Sequence, residues 1–262
     1  NTARLTTTGR ENTTVGKGSM YYNTTGSYNT SLGKEALQNN TTASSNTAVG
    51  YQAGYSNVAS GAQVFVGYKA GYATTTGGGS STFVGYEAGL SNTTGGNNTA
   101  LGRGSFLDNT TGSNNVGLGY DALANNTTAD NNNALGMSAG YSTTTGHSNN
   151  FMGRNAGYSN TTGSANTGLG HNALNSNTTA SYNTAVGYQA LYDNQTGVHN
   201  TALGHLALGD STGHYNTTVG SYSGYSVTSG TNNTFVGYTA GNSITTGIQN
   251  TIIGSLGGTQ GT

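Results

Sequence analysis

The side chains in this 262-residue chain with the most obvious potential for chemistry are five histidines, His147, His171, His199, His205 and His214, and eight carboxylates. A hydrolytic or metal-dependent site needs unlike groups to converge at one place, a nucleophile beside a base or three ligands about one ion. The histidines do not supply this. His171 and His205 occupy the same slot of a repeat two units apart, so in stacked coils about 9.6 Å would separate them, too far to share a metal. The carboxylates Glu11, Glu35, Glu87, Asp108, Asp121, Asp130, Asp193 and Asp210 are scattered, and the G-G-x-G-x-D calcium-binding signature is missing. Glycine is abundant, yet no G-x-x-x-x-G-K-[ST] phosphate loop occurs, and there is no cysteine to ligate a metal or form a disulfide. The reading is therefore not an enzyme: no catalytic residue, no metal and no cofactor.

Composition narrows the partners further. Seven Lys and Arg against eight Asp and Glu leave a net charge of −1, which offers no basic surface for nucleic acid. No apolar run approaches the roughly 20 residues of a membrane span. A chain this rich in Gly, Asn and Thr could be disordered, but disorder favours high net charge and few aromatics, and this chain has 18 tyrosines. Proline is absent, so nearly every backbone N–H is expected to be used as a donor.

What must position these side chains is a repeat. One glycine recurs at Gly16, Gly33, Gly50, Gly67, Gly85, Gly102, Gly119, Gly136, Gly153, Gly170, Gly187, Gly204, Gly220, Gly237 and Gly254, every 17 residues with one step of 18 and one of 16. The unit reads N-T-x-V-G-Y-x-A-x-Y and closes on a T-T-G turn such as Thr161-Thr162-Gly163, whose glycine is expected at positive φ. Short extended runs between glycine turns, with Thr and Asn too dense for helix interiors, predict an all-β fold. The expectation is a parallel β-solenoid (β-roll) of about fifteen 17-residue coils filling residues 1–262 as a single domain, roughly 70 Å long at one strand spacing per coil.

Two columns are expected inside the coil. One is the aliphatic residue before each framing glycine, including Val49, Leu101, Leu135, Leu169, Val186 and Val236, and the other is the small residue three positions after it, such as Ala36, Ala53 and Ala190. A column of asparagines, among them Asn29, Asn46, Asn166 and Asn183, is suited to hydrogen bonds from coil to coil. The slot after the framing glycine carries Tyr51, Tyr68, Tyr86, Arg103 and Tyr120, expected outside as a stiffening ladder or a strip for surface or glycan contact. Strand alternation then points Phe65, Phe83, Phe151 and Phe235 outward, where they read as a subunit interface. The sequons at Asn23, Asn40 and Asn160 are a by-product of an Asn- and Thr-rich repeat, weak evidence for sugar attachment.

The segments Asn46-Thr47-Ala48-Val49-Gly50 and Asn183-Thr184-Ala185-Val186-Gly187 resemble the N-S-x-A-I-G unit of YadA-type trimeric autotransporter adhesin heads. The longer N-T-A-L-G-Y-x-A-L pattern is similar to repeats of bacterial surface and phage tail-fibre proteins. That resemblance implies a β-roll and an extracellular or cell-surface location. The functional expectation is a structural subunit of a self-assembling filament or surface layer, the partner being the chain itself. It would be joined end to end where stubs Asn1 to Thr8 and Gly254 to Thr262 overlap. The alternative is a receptor- or glycan-binding segment of a trimeric adhesin or phage fibre.

Overall fold

The computed structural model describes residues 5–76 and 79–255. These fall into two compact units, Asn1–Asn131 and Asn132–Thr262, both built from the same repeat. The first holds β1 (Thr13–Val15), β2 (Thr30–Leu32), β3 (Thr47–Val49), β4 (Val64–Val66), β5 (Thr82–Val84), β6 (Thr99–Leu101) and β7 (Val116–Leu118). The second holds β8 (Asn133–Leu135), β9 (Asn150–Met152), β10 (Thr167–Leu169), β11 (Thr184–Val186), β12 (Thr201–Leu203), β13 (Thr217–Val219), β14 (Thr234–Val236) and β15 (Thr251–Ile253). Within each unit, successive strands pair in parallel, with like positions of the repeat in register: Thr47 pairs Val64 and Ala48 pairs Phe65, as Thr184 pairs Thr201 and Ala185 pairs Ala202. No helix occurs among the described residues, and both units are parallel β-solenoids. The proposed joint between the two terminal stubs falls largely on residues outside the described ones.

Three-residue strands do not by themselves hold a coil to its neighbour. The rest of the coil repeats the ladder, with Gly187 N–H donating to Leu169 O at 2.7 Å, Gln189 N–H to His171 O at 3.0 Å and Leu191 N–H to Ala207 O at 3.0 Å. Donors spread around the whole perimeter leave no place for proline, consistent with its absence. The geometry imposes left-handed backbone on three slots per coil whatever residue fills them, as in Gln189 (φ 52°), Leu191 (φ 49°) and His199 (φ 56°). Each such non-glycine residue costs about 1–2 kcal/mol relative to a right-handed conformer, a cost that the repeated backbone bonding must offset.

Glycine has two separate roles. The framing glycine takes φ of 134° at Gly50 and 136° at Gly187, and a Cβ there would strike the carbonyl of the next framing glycine. The turn glycine is not at positive φ, contrary to expectation. At Gly163 a Cβ would meet the Ala180 carbonyl oxygen of the next coil, although the same slot takes the small residues Ala43, Ala129 and Ala180 in other coils.

The interior corrects the column assignment by one residue. In each strand the middle residue faces in and the first and third face out, so Leu101 is 50% and Leu135 45% exposed, while Val49, Leu169, Val186 and Val236 are half-buried. The expected aliphatic core ladder is therefore an external stripe. Phe65, Phe83, Phe151 and Phe235, expected at a subunit interface, are all 0% exposed and form part of the core. The physical reason is room. A 17-residue coil is too narrow for a large side chain at every inward position, so the middle slot is normally Ala, Gly, Ser or Thr, and Phe enters where the neighbouring left-handed slot is empty. Phe65 lies against Gly54 and Gly71, Phe83 against Gly89, Phe151 against Gly157 and Phe235 against Gly241. Where the middle slot is small, as at Gly117, Gly168, Ala185 and Ala202, the residue six positions on is the buried Leu123, Leu174, Leu191 or Leu208. The small column after the framing glycine, with Ala36, Ala53 and Ala190, is buried as expected.

The remaining interior is polar. Asn46 N–H donates to Asn29 Oδ1 at 2.9 Å and Asn183 N–H to Asn166 Oδ1 at 3.0 Å, while Asn29 Nδ2 reaches the Ala43 carbonyl at 2.9 Å and Asn183 Nδ2 the Gly197 carbonyl at 2.9 Å. A second buried ladder runs amide to amide, Asn109 Nδ2 to Asn92 Oδ1 at 2.6 Å and Asn126 Nδ2 to Asn109 Oδ1 at 2.7 Å. The sequons Asn23, Asn40 and Asn160 belong to this second column: Asn40 Nδ2 donates to Asn23 Oδ1 at 2.8 Å, and Asn160 Nδ2 to the Gly163 carbonyl at 3.0 Å. A sugar on any of these buried amides is incompatible with the coil.

Candidate functional surface

The outer face of each strand presents two columns. The first is mostly threonine, Thr30, Thr47 and Thr99 in the first unit and Thr184, Thr201 and Thr217 in the second; the other is the aliphatic stripe. An apolar side chain at the same point of every coil is unlike the single scattered hydrophobes of an ordinary surface.

Past the C-terminal ends of β3, β4, β5 and β7, just after the framing glycine, stands a ladder of tyrosine rings, with Arg103 in the slot after β6. In the first unit Tyr51, Tyr68 and Tyr86 stack at 5.4 and 5.0 Å between centroids. Lys34 Nζ lies 5.2 Å from the Tyr51 centroid, and the Arg103 guanidinium sits between Tyr86 and Tyr120, 5.8 and 5.1 Å from their centroids. Arg103 Nη1 donates to Tyr120 Oη at 2.6 Å. Burial pushes the Asp121 carboxyl above the usual carboxylate range, opposed by the Arg103 charge and a hydrogen bond from Tyr120. Tyr51 is half-buried, and Tyr68, Tyr86, Arg103 and Tyr120 are exposed. The five residues singled out from the sequence are thus brought together, but their ring faces cover one another. Edges, hydroxyls and cations are what the solvent meets.

In the second unit the same slot holds different chemistry, His171, Tyr188 and His205 at 5.4 and 5.3 Å, while Tyr222, one residue further along its own coil and at φ 56°, meets His205 edge-on at 5.1 Å. His171 and His205 are separated by the Tyr188 ring, and among the described residues no three His, Cys, Asp or Glu are grouped to hold a metal ion. A ladder that the sequence reading missed stands at the other end of these strands, in the left-handed slot two residues before each. Tyr182, His199 and Tyr215 stack there at 4.8 and 5.2 Å, with planes within 2° and 5° of parallel. The available signal was the coincidence of rings two residues before and two after the same strands, at Tyr182 and Tyr188, then His199 and His205.

An open hollow of about 200 Å³ is lined by Lys17, Gly18, Tyr21, Glu35 and Gln38. Its one carboxylate is engaged by Lys34 at 3.5 Å and Gln52 Nε2 at 2.8 Å, so no free acid–base pair faces it. No helix of the described residues is long and apolar enough to cross a membrane. No family model, curated protein or solved structure matches the chain.

Proposed function

We propose that the chain is a structural subunit of an extracellular or cell-surface assembly, in which solenoids associate side by side through the outward aliphatic stripe. The carrying observation is that stripe: Val15, Leu32 and Leu101 in one unit and Leu135, Leu203 and Ile253 in the other are all exposed, one per coil at a constant position. Burying apolar surface at about 25 cal/mol per Å² favours a partner that matches along the whole column, and a second copy has the same period by construction. Support also comes from the resemblance of Asn46–Gly50 and Asn183–Gly187 to adhesin head repeats, and from a surface whose other recurring features are stacked rings and hydroxyls.

The test is light scattering and electron microscopy of the wild type beside Leu101→Lys/Leu118→Lys. The wild type should form particles of more than one chain. The variant should keep the same circular dichroism and scatter as single chains. Unchanged assembly by the variant would remove the stripe from the account.

A further inference from the structure

We infer that the surface spanning Tyr182 to Tyr222 binds an extended, uncharged glycan chain lying along the coil stack. Among the described residues it is the one stretch of the repeat in which successive strands are bounded by rings at both ends. Tyr182, His199 and Tyr215 stand on one side, Tyr188, His205 and Tyr222 on the other. Between them lies a floor of threonine hydroxyls and aliphatic side chains from β11, β12 and β13.

The first argument is conformational. Tyr182, His199 and Tyr215 are held at φ of 62°, 56° and 58°, left-handed values that bulky residues disfavour, and Tyr182 and Tyr215 are 59% and 56% exposed. The same slot holds asparagine at Asn97, Asn114 and Asn232, which tolerates this conformation at lower cost. The coil imposes this conformation on the slot in other repeats too, as at Tyr28 (φ 59°), so what distinguishes this stretch is three consecutive rings there, exposed where packing does not demand them.

The second argument is chemical. The three strands and both ladders here contain no Lys, Arg, Asp or Glu, which disfavours nucleic acid and acidic polymers. Phenol and threonine hydroxyls, imidazole nitrogens and a methyl-lined floor match the mixed hydroxyl and C–H surface of a sugar ring. Because the ring faces cover one another, the contacts fall to ring edges and polar atoms. The third argument is spacing. Coils repeat at about 4.8 Å, close to the advance of one pyranose residue in an extended chain, so one contact can recur over three successive coils.

The floor of this surface is the β11 to β13 part of the stripe that the lateral association proposed above would bury, so a glycan and a second copy compete there. What sets this surface apart is the rings. A second copy would meet the aliphatic stripe in every coil and would not need rings confined to three of them.

Affinity electrophoresis through gels containing a soluble β-1,4-glucan derivative, a galactomannan or dextran tests the proposal. The variants are Tyr182→Asn/His199→Asn/Tyr215→Asn and, on the opposite ladder, His205→Ser, each introducing a residue that the same slot already accepts elsewhere. Retardation by at least one polysaccharide, weakened tenfold or more by both variants and unchanged by Tyr51→Ala/Tyr68→Ala, is the expected result. No retardation in any gel would overturn it, as would equal weakening by the Tyr51/Tyr68 variant. Ring variants that change only the particle mass in light scattering would assign the surface to a second copy instead, again overturning it.

Discussion

Neighbouring columns of the same strand, one residue apart, have opposite fates. The middle column, with Phe83, Ala100 and Ala185, is sealed inside the coil, and the third column, with Val84, Leu101 and Val186, lies on the outside. The outer column is the more uniformly aliphatic of the two. In a coil this narrow, apolarity does not tell inside from outside, because much of any folded surface is apolar anyway. The usable signal is volume, a large side chain permitted only where its neighbour in the coil is small.

The largest break in that comparison is a charge. Ala185→Asp should abolish folding of its neighbourhood, since an unpaired carboxylate buried between coils costs several kcal/mol and interrupts stacking in both directions. Leu135→Asp, at a 45% exposed site, should stay within about 1 kcal/mol of the wild type in urea unfolding. Equal losses would show that both columns face the core.

Volume compensation gives a subtler case. Phe83→Ala leaves a cavity and should cost about 3–5 kcal/mol. Adding Gly89→Leu recreates the pairing of small middle residue and buried leucine seen at Ala185 and Leu191, and should recover a large part of that loss. Gly89→Leu alone should be destabilising, because its Cβ would fall on the Phe83 ring. Additive losses in the double variant would argue against a shared space.

The polar interior responds on a smaller scale. Asn109→Ala removes the donor to Asn92 and the acceptor for Asn126 together, leaving buried amide groups unpaired at about 1–3 kcal/mol. A melt indistinguishable from wild type would remove this ladder from the account of stability.

Smallest is the effect of acid. Asp121 has a raised carboxyl pKa in the fold, so its ionisation opposes folding above that value and the penalty vanishes as pH falls below the ordinary carboxylate value. The melting temperature of the wild type should therefore rise slightly on acidification through that window, and Asp121→Asn should flatten the rise.

Much of this was legible in the sequence. The 17-residue spacing of the framing glycine, the absence of proline and the Asn column together specify parallel coils tied by backbone ladders, and the alanines after Gly33, Gly50 and Gly187 are inside as their size implies. The face of the strand was not read correctly. Three residues are too few for alternation to reveal which side is buried, although the pairing of Phe65 with Gly71 and Phe83 with Gly89, against Ala185 with Leu191, carried that information six residues away. The rings at Tyr51 to Tyr120 were identifiable as a column, whereas the Tyr182 ladder shows its meaning only once the ends of the strands are located.

The chain has no cysteine, which makes thiol labelling a direct test of the inside and outside columns. Single variants Ala100→Cys and Leu101→Cys, reacted with a maleimide under native conditions, should differ by orders of magnitude in rate. The thiol replacing Ala100 should be protected until the chain unfolds. The thiol replacing Leu101 should react freely in dilute solution and more slowly as concentration brings copies together. A reactive thiol in the Ala100→Cys variant beside a protected one in Leu101→Cys at every dilution would contradict both the orientation of the strands and the association built on it.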